Sequence, residues 1–122
     1  MLQSVYLQND GDTFTIKPLP VQAQLSPVNG MVIMDADKDG NKDIVLAGNF
    51  YPLRVSLGPL DAGIGLVLKG DGRGGFVAMN YQQTNLYLPG DVRNIIDIKG
   101  ANHTIIAAAK NNGQVQVVQL NQ

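Results

Sequence analysis

The sequence of 122 residues contains no cysteine, a single histidine and no long apolar segment. Without cysteine the chain forms neither a disulfide nor a thiolate metal site, although this absence does not identify a compartment. A membrane span needs about 18 consecutive apolar residues, and no run in the sequence approaches that length. Residues 1–20 lack the basic start and apolar core of a signal peptide. The sequence therefore predicts neither a membrane span nor a signal peptide in this chain.

An excess of one charge sign is also missing, because nine basic residues balance ten acidic ones. Such a chain has no field that would recruit nucleic acid or an acidic membrane surface. Its hydrophobic fraction of 44% provides enough apolar side chains for one domain core. Fourteen glycines, together with the lack of a sustained 3.6-residue pattern, predict an all-β protein with many turns.

Four of the ten acidic residues lie within residues 35–43, which follow the pattern D-x-D-x-D-G-x-x-D. Carboxylates brought this close repel one another unless a cation lies between them, and hard divalent ions prefer oxygen ligands. Gly40 provides the unhindered backbone for a sharp bend. By analogy with other Asp-rich loops, Asn41 would offer its backbone carbonyl, and four side chains would bind Ca²⁺: Asp35, Asp37, Asp39 and Asp43. The structural alternative is a solvated polar turn between strands.

Two other families that use acidic motifs do not fit this segment. An EF-hand needs a glutamate at loop position 12, where this chain has Leu46, and its loop lies between helices. Here the flanking runs 31–34 and 44–47 are short, apolar and rich in β-formers, which predicts two strands. A haloacid-dehalogenase-type phosphatase needs a parallel α/β sheet, and the sequence shows none of the helices of such a sheet. We see no arrangement suited to acid–base catalysis, so no enzyme is predicted.

The chain resembles itself at an offset of about 61 residues. Ile33–Asp35 matches Ile95–Asp97, and Ile44–Ala47 matches Ile105–Ala108. The loop between these runs differs, because the second copy keeps only Asp97 and adds Lys99. We therefore expect the second loop to bind no metal.

Each repeat is predicted to contain four strands. The complete unit, residues 21–84, has strands at roughly 31–35, 43–48, 64–69 and 75–79. Residues 1–20 provide the last two strands of a preceding unit (4–8 and 13–17). Residues 85–122 provide three strands of a final unit (92–98, 103–109 and 114–120). The glycine-rich segment Gly70–Gly75 is predicted to be a hairpin turn, since a phosphate-binding loop would need a following helix.

The acidic segment and the turns give the chain a resemblance to the FG-GAP/VCBS repeat family. The residues that carry it are Met34–Ile44, Gly70–Phe76 and the earlier turn Asn9–Phe14. Leu46–Tyr51 and Pro89–Arg93 are similar to the C-terminal part of long bacterial repeat proteins of this type.

The resemblance implies antiparallel four-stranded β-propeller-type blades in a secreted or cell-surface protein, with calcium as a structural ion. It also implies an adhesion or binding role toward a protein or glycan ligand. The alternative is an architectural domain that supports a catalytic or binding part elsewhere in a longer chain. The sequence departs from the pattern because it holds about two blades, whereas a closed propeller needs about four or more. Exposed sheet faces and edges then predict an open fragment, or a unit that is completed by self-association.

The sequence also contains candidate residues outside the acidic segment. Three residues of the long connection 49–63 are candidates for ligand contact, although a structural loop is the favoured interpretation: Tyr51, Arg54 and Asp61. His103 lacks a metal-binding or nucleophilic partner in the sequence and is expected to have a surface or capping role. Asp91 and Arg93 are expected to form pairs with a neighbouring unit.

Overall fold

The computed structural model describes residues 3–48 and 64–121, in which the chain forms three separate antiparallel sheets. The first sheet pairs β1 (Val5–Asn9) with β2 (Phe14–Pro18). The second sheet has the order β3-β4-β5-β6, with strands Gly30–Met34, Asp43–Ala47, Leu66–Gly70 and Phe76–Met79. The third sheet has the order β7-β8-β9, with strands Val92–Lys99, Thr104–Lys110 and Gln116–Gln119.

The all-β prediction is confirmed, and each predicted strand is found to within about two residues. One sheet lies within each of the three predicted segments. Only the second sheet has four strands among the described residues, so the blade arrangement stays a prediction. Tyr51, Arg54 and Asp61 lie outside the described residues.

Two short helical turns interrupt the strands in the described part of the chain, and neither was predicted. A 3₁₀ turn covers Val21–Gln24, and a helix, α1, covers Tyr81–Thr84. A capping box begins α1, in which the Asn80 side chain accepts from the Gln83 backbone N–H at 2.9 Å and the Gln83 side chain accepts from the Asn80 N–H at 3.0 Å. None of the described helices has the length and apolar character to cross a membrane.

The main core lies between the second and third sheets. Directly paired residues form one apolar row across the second sheet: Val32, Val45, Val67 and Met79. This row packs against Ile95, Ile106 and Ala108 of the third sheet. The two sheets meet in backbone contact at Gly30, where an added Cβ would lie 2.7 Å from the Ile95 nitrogen. A side chain at this position would therefore force β3 and β7 apart.

A smaller core lies on the opposite face of the second sheet, beneath residues 19–24, which follow β2. It contains Ile44, Leu46 and Leu68, with Ala23 from the 3₁₀ turn. The Tyr6 ring of β1 meets the Phe76 ring of β6 edge-on, with centroids 5.3 Å apart. Both faces of the second sheet therefore bury apolar residues, as the continuous burial of β4 requires.

The two repeat copies differ in where their aspartates fall. Asp35 follows the end of β3, whereas Asp97 lies within β7, opposite Ile106. β7 continues to Lys99, and a four-residue connection, 100–103, leads to β8. The sequence match between Asp35 and Asp97 therefore does not correspond to an equivalent structural position.

Candidate metal site

The acidic segment forms the connection between β3 and β4, as its flanking runs predicted. Asp35 directly follows β3, and Asp43 is the first residue of β4. The backbone turns sharply at Lys38 and Gly40, which have φ values of 62° and 90°. The bend expected at Gly40 is confirmed, and a left-handed lysine adds a second one. These bends allow alternate side chains of the loop to converge.

Three of the predicted ligands converge on one point. Carboxylate oxygens of Asp35, Asp37 and Asp39 lie within 4.8 Å of one another. Asp35 and Asp37 are partly buried, and Asp39 is exposed at the rim. Three carboxylates at this distance repel one another, and a nearby positive charge offsets that repulsion.

Backbone N–H groups hold these side chains in place. Asp35 accepts from the N–H of Asp39 at 3.1 Å and from that of Gly40 at 2.9 Å. Asp39 in turn accepts from the Asn41 N–H at 2.8 Å. The loop is therefore organised by its own carboxylates, in the manner of successive Asx turns.

A lysine that the sequence analysis missed lies against the cluster. The Lys69 ammonium contacts Asp37 and lies 2.8 Å from a carboxylate oxygen of Asp39. These bonds, first to Asp37 and then to Asp39, raise the pKa of the Lys69 amine. Lys69 and the Asn41 N–H likewise lower the pKa of the Asp39 carboxyl. The cluster therefore already attracts a cation from within the chain.

Asp43 lies outside the cluster of three and has a different environment. It is fully buried, and its two oxygens accept from the Ala36 N–H at 2.7 Å and the Gly70 N–H at 2.9 Å. Asp43 therefore ties the start of the loop to the end of β5. Its role as a metal ligand stays a prediction, as does that of the Asn41 carbonyl.

The residues of the cluster fit a hard divalent cation. All three donors are carboxylate oxygens, which is the donor set that Ca²⁺ and Mg²⁺ prefer over softer metals. The contact with Lys69 indicates where positive charge is favourable. A bound ion would take the place of the ammonium, because both neutralise the same two carboxylates.

The glycine-rich segment after β5 is a closed hairpin turn between β5 and β6, as predicted. Asp71 lies in this turn and accepts from the N–H groups of Arg73 at 2.7 Å and Gly75 at 2.9 Å. Those bonds lower the pKa of the Asp71 carboxyl. Its carboxylate therefore stabilises its own turn.

The remaining candidates are placed away from the loop. His103 is exposed in the connection to β8, where its carbonyl accepts from the Gly100 N–H. Asp91 is buried and pairs within its own unit, with Arg93 at 2.9 Å and with the Asn111 amide at 3.3 Å. The expectation that Asp91 pairs with a neighbouring unit is therefore wrong.

Comparisons of the chain with protein-family models, with curated proteins and with solved structures found no match. The interpretation of the site therefore depends on the loop itself: its sequence pattern, the convergence of its three carboxylates and the cation that they attract.

Proposed function

We propose that this chain is a calcium-binding repeat module of the FG-GAP/VCBS type, in which a structural Ca²⁺ stiffens the β3–β4 hairpin. The observation that carries this proposal is the convergence of Asp35, Asp37 and Asp39 on one point. Asp43 and the Asn41 carbonyl complete the proposed ligand set. Binding the ion would remove the mutual repulsion of the carboxylates and fix the loop between two adjacent strands.

Calcium is the ion that this site favours. Mg²⁺ demands a near-ideal octahedral site and keeps several waters, whereas Ca²⁺ accepts a flexible loop with six to eight oxygen ligands. The site lies at the surface of a loop with a partly exposed rim. We place this loop in a secreted or cell-surface protein, where calcium modules bind the ion at about 10⁻⁴–10⁻³ M.

In this proposal the repeats form propeller-type blades and the module is not catalytic. Calcium keeps the loop edge of the blade rigid, so that loops on the same side present a fixed surface to a protein or glycan ligand. The displaced Lys69 ammonium would then be free at the rim of the site.

A thermal melt in calcium and in chelator tests the proposal. At a tenfold excess over its dissociation constant, the ion would add about 1.4 kcal/mol to the free energy of unfolding. For a chain of this size that corresponds to a rise in melting temperature of about 4–8 °C. Asp37→Asn removes a cluster carboxylate and should abolish the rise.

Asp12→Asn provides the matched control, because Asp12 is exposed in the β1–β2 turn, away from the cluster. It removes the same charge and should keep the full response to calcium. An equal melting temperature in calcium and in chelator contradicts the proposal. A response lost equally in both variants would instead indicate a general charge effect.

A further inference from the structure

An apolar row of the second sheet is covered at one end only. Its directly paired residues are Ile33, Ile44, Leu68 and Ala78. Leu68 is fully buried, whereas Ile33 is 59% exposed. The neighbouring Met31, on the same face of β3, is 56% exposed. The two strands of the first sheet therefore leave the β3 side of this face open.

The open part of the face forms a groove of about 360 Å³ beside β1. Met31, Ile33 and Ile44 line it on the second sheet, and Val5 and Leu19 line it on the side of the first sheet. The groove is thus continuous with the interface that the first two sheets already form. Within residues 3–48 and 64–121, β1 pairs only with β2, so the groove also borders a free strand edge.

The third sheet presents an apolar row on the face opposite its core. Ile96, Ala107 and Val117 are directly paired across β7, β8 and β9. Ile96 and Val117 are exposed, and so is the nearby Ile98 on the same face. In the described part of the chain β9 also has one unpaired edge.

The interface between the second and third sheets shows how such faces fit together. There, the aliphatic row that begins with Val32 and Val45 covers a face centred on Ile95 and Ile106. The exposed row of the third sheet is aliphatic, as is the second-sheet row that begins with Val32 and Val45. The open face around Ile33 is apolar, as is the third-sheet face around Ile95 and Ile106 that the second sheet covers. Within residues 3–48 and 64–121, the chain therefore carries one uncovered surface of each type, at opposite ends of its stack of sheets.

We propose that a second copy of this chain fills the groove, with the outer face of its third sheet packed on the Ile33 face of the second sheet. The contact is head-to-tail, and it brings the free edge of β9 in one copy toward the free edge of β1 in the next. Because the two surfaces differ, association continues from copy to copy until a ring closes or a filament forms. The contact uses no residue of the acidic cluster and is independent of calcium.

Light scattering after gel filtration tests this contact through two single variants. Ile33→Lys places a charge in the groove, and Ile96→Lys places one on the outer face of the third sheet. The wild type should have a mass above that of the 13.1 kDa chain, and each variant alone should be monomeric. An equimolar mixture of the variants should form a dimer, because each supplies the intact surface that the other lacks. Met31→Lys and Ile98→Lys carry the same expectations if either first variant fails to fold.

Val77→Lys is the matched control, because Val77 is exposed on β6 and lines neither the groove nor the outer face of the third sheet. This variant should associate like the wild type. A monomeric wild type overturns the proposal, and so does a mixture that stays monomeric. If only one of the two variants abolishes association, both copies use the same surface in a two-fold contact, and the proposal is overturned. Dissociation by Val77→Lys would place the contact on β6 instead.

Discussion

Replacement of Asp43 should destabilise the chain whether or not calcium is present. Its carboxylate accepts two buried backbone N–H bonds, one from Ala36 and one from Gly70. Hydrogen bonds to a charged group contribute about 1.5–3 kcal/mol each, and alanine would leave both donors buried without a partner. The desolvation cost of a buried carboxylate offsets part of this loss. We therefore expect Asp43→Ala to lower the free energy of unfolding by about 2–4 kcal/mol.

Urea unfolding followed by circular dichroism, in chelator and in calcium, measures this loss. Asp43→Asn keeps one acceptor oxygen but turns its NH₂ group toward the other backbone N–H, so it should also lose stability, by an amount comparable with alanine. Asp12→Asn again serves as the surface control and should stay within about 0.5 kcal/mol of the wild type. If Asp43→Ala is equally close to the wild type in chelator, the two hydrogen bonds do not stabilise the fold as argued. If Asp43→Ala lowers the free energy of unfolding only when calcium is present, Asp43 acts only as a metal ligand.

Three further perturbations test the surroundings of the site. Gly70→Ala should cost at least about 2 kcal/mol in urea unfolding, because its Cβ would lie 2.1 Å from the Lys42 carbonyl oxygen, whereas Gly113→Ala has room and should be nearly neutral. Lys69→Met should tighten calcium binding, because it removes the ammonium that competes with the ion for Asp37 and Asp39. It should also destabilise the calcium-free chain, because nothing then offsets the repulsion of the carboxylates. Weaker binding in a calcium titration would contradict this. The lowered pKa of Asp71 contributes stability above about pH 4 that is lost as the pH falls through the lowered value. In Asp71→Asn the free energy of unfolding should therefore fall less steeply as the pH is lowered. An unchanged pH dependence would refute the role of the Asp71 carboxylate in stabilising the turn.

The strands could be predicted because their sequence signals are local. β3 and β4 are short apolar runs bounded by glycine and by the acidic loop, so their limits follow from composition alone. The short helix α1 has a local signal as well, since Asn80 and Gln83 have capping-box spacing. That signal was missed because no amphipathic pattern of helical length accompanies it.

The loop's three converging carboxylates also follow from local spacing, but the position of Lys69 does not. Lys69 reaches the cluster because Leu68 pairs with Ile44, which aligns the end of β5 with the beginning of β4. That register joins two strands separated by the connection 48–65. A sequence pattern predicts which face of a strand is buried, but not which strand it pairs with, so the position of Lys69 could not be predicted. The burial of Asp43 depends on the same pairing, since one of its two donors is the Gly70 N–H.

Isothermal titration of the chain with calcium tests the central claim most directly. The acidic cluster predicts one calcium ion per chain, with a dissociation constant of about 10⁻⁴–10⁻³ M. Asp37→Asn should lose this binding, and Asp12→Asn should retain it. Absence of binding by the wild type at millimolar calcium, or binding that survives in Asp37→Asn, would contradict the account.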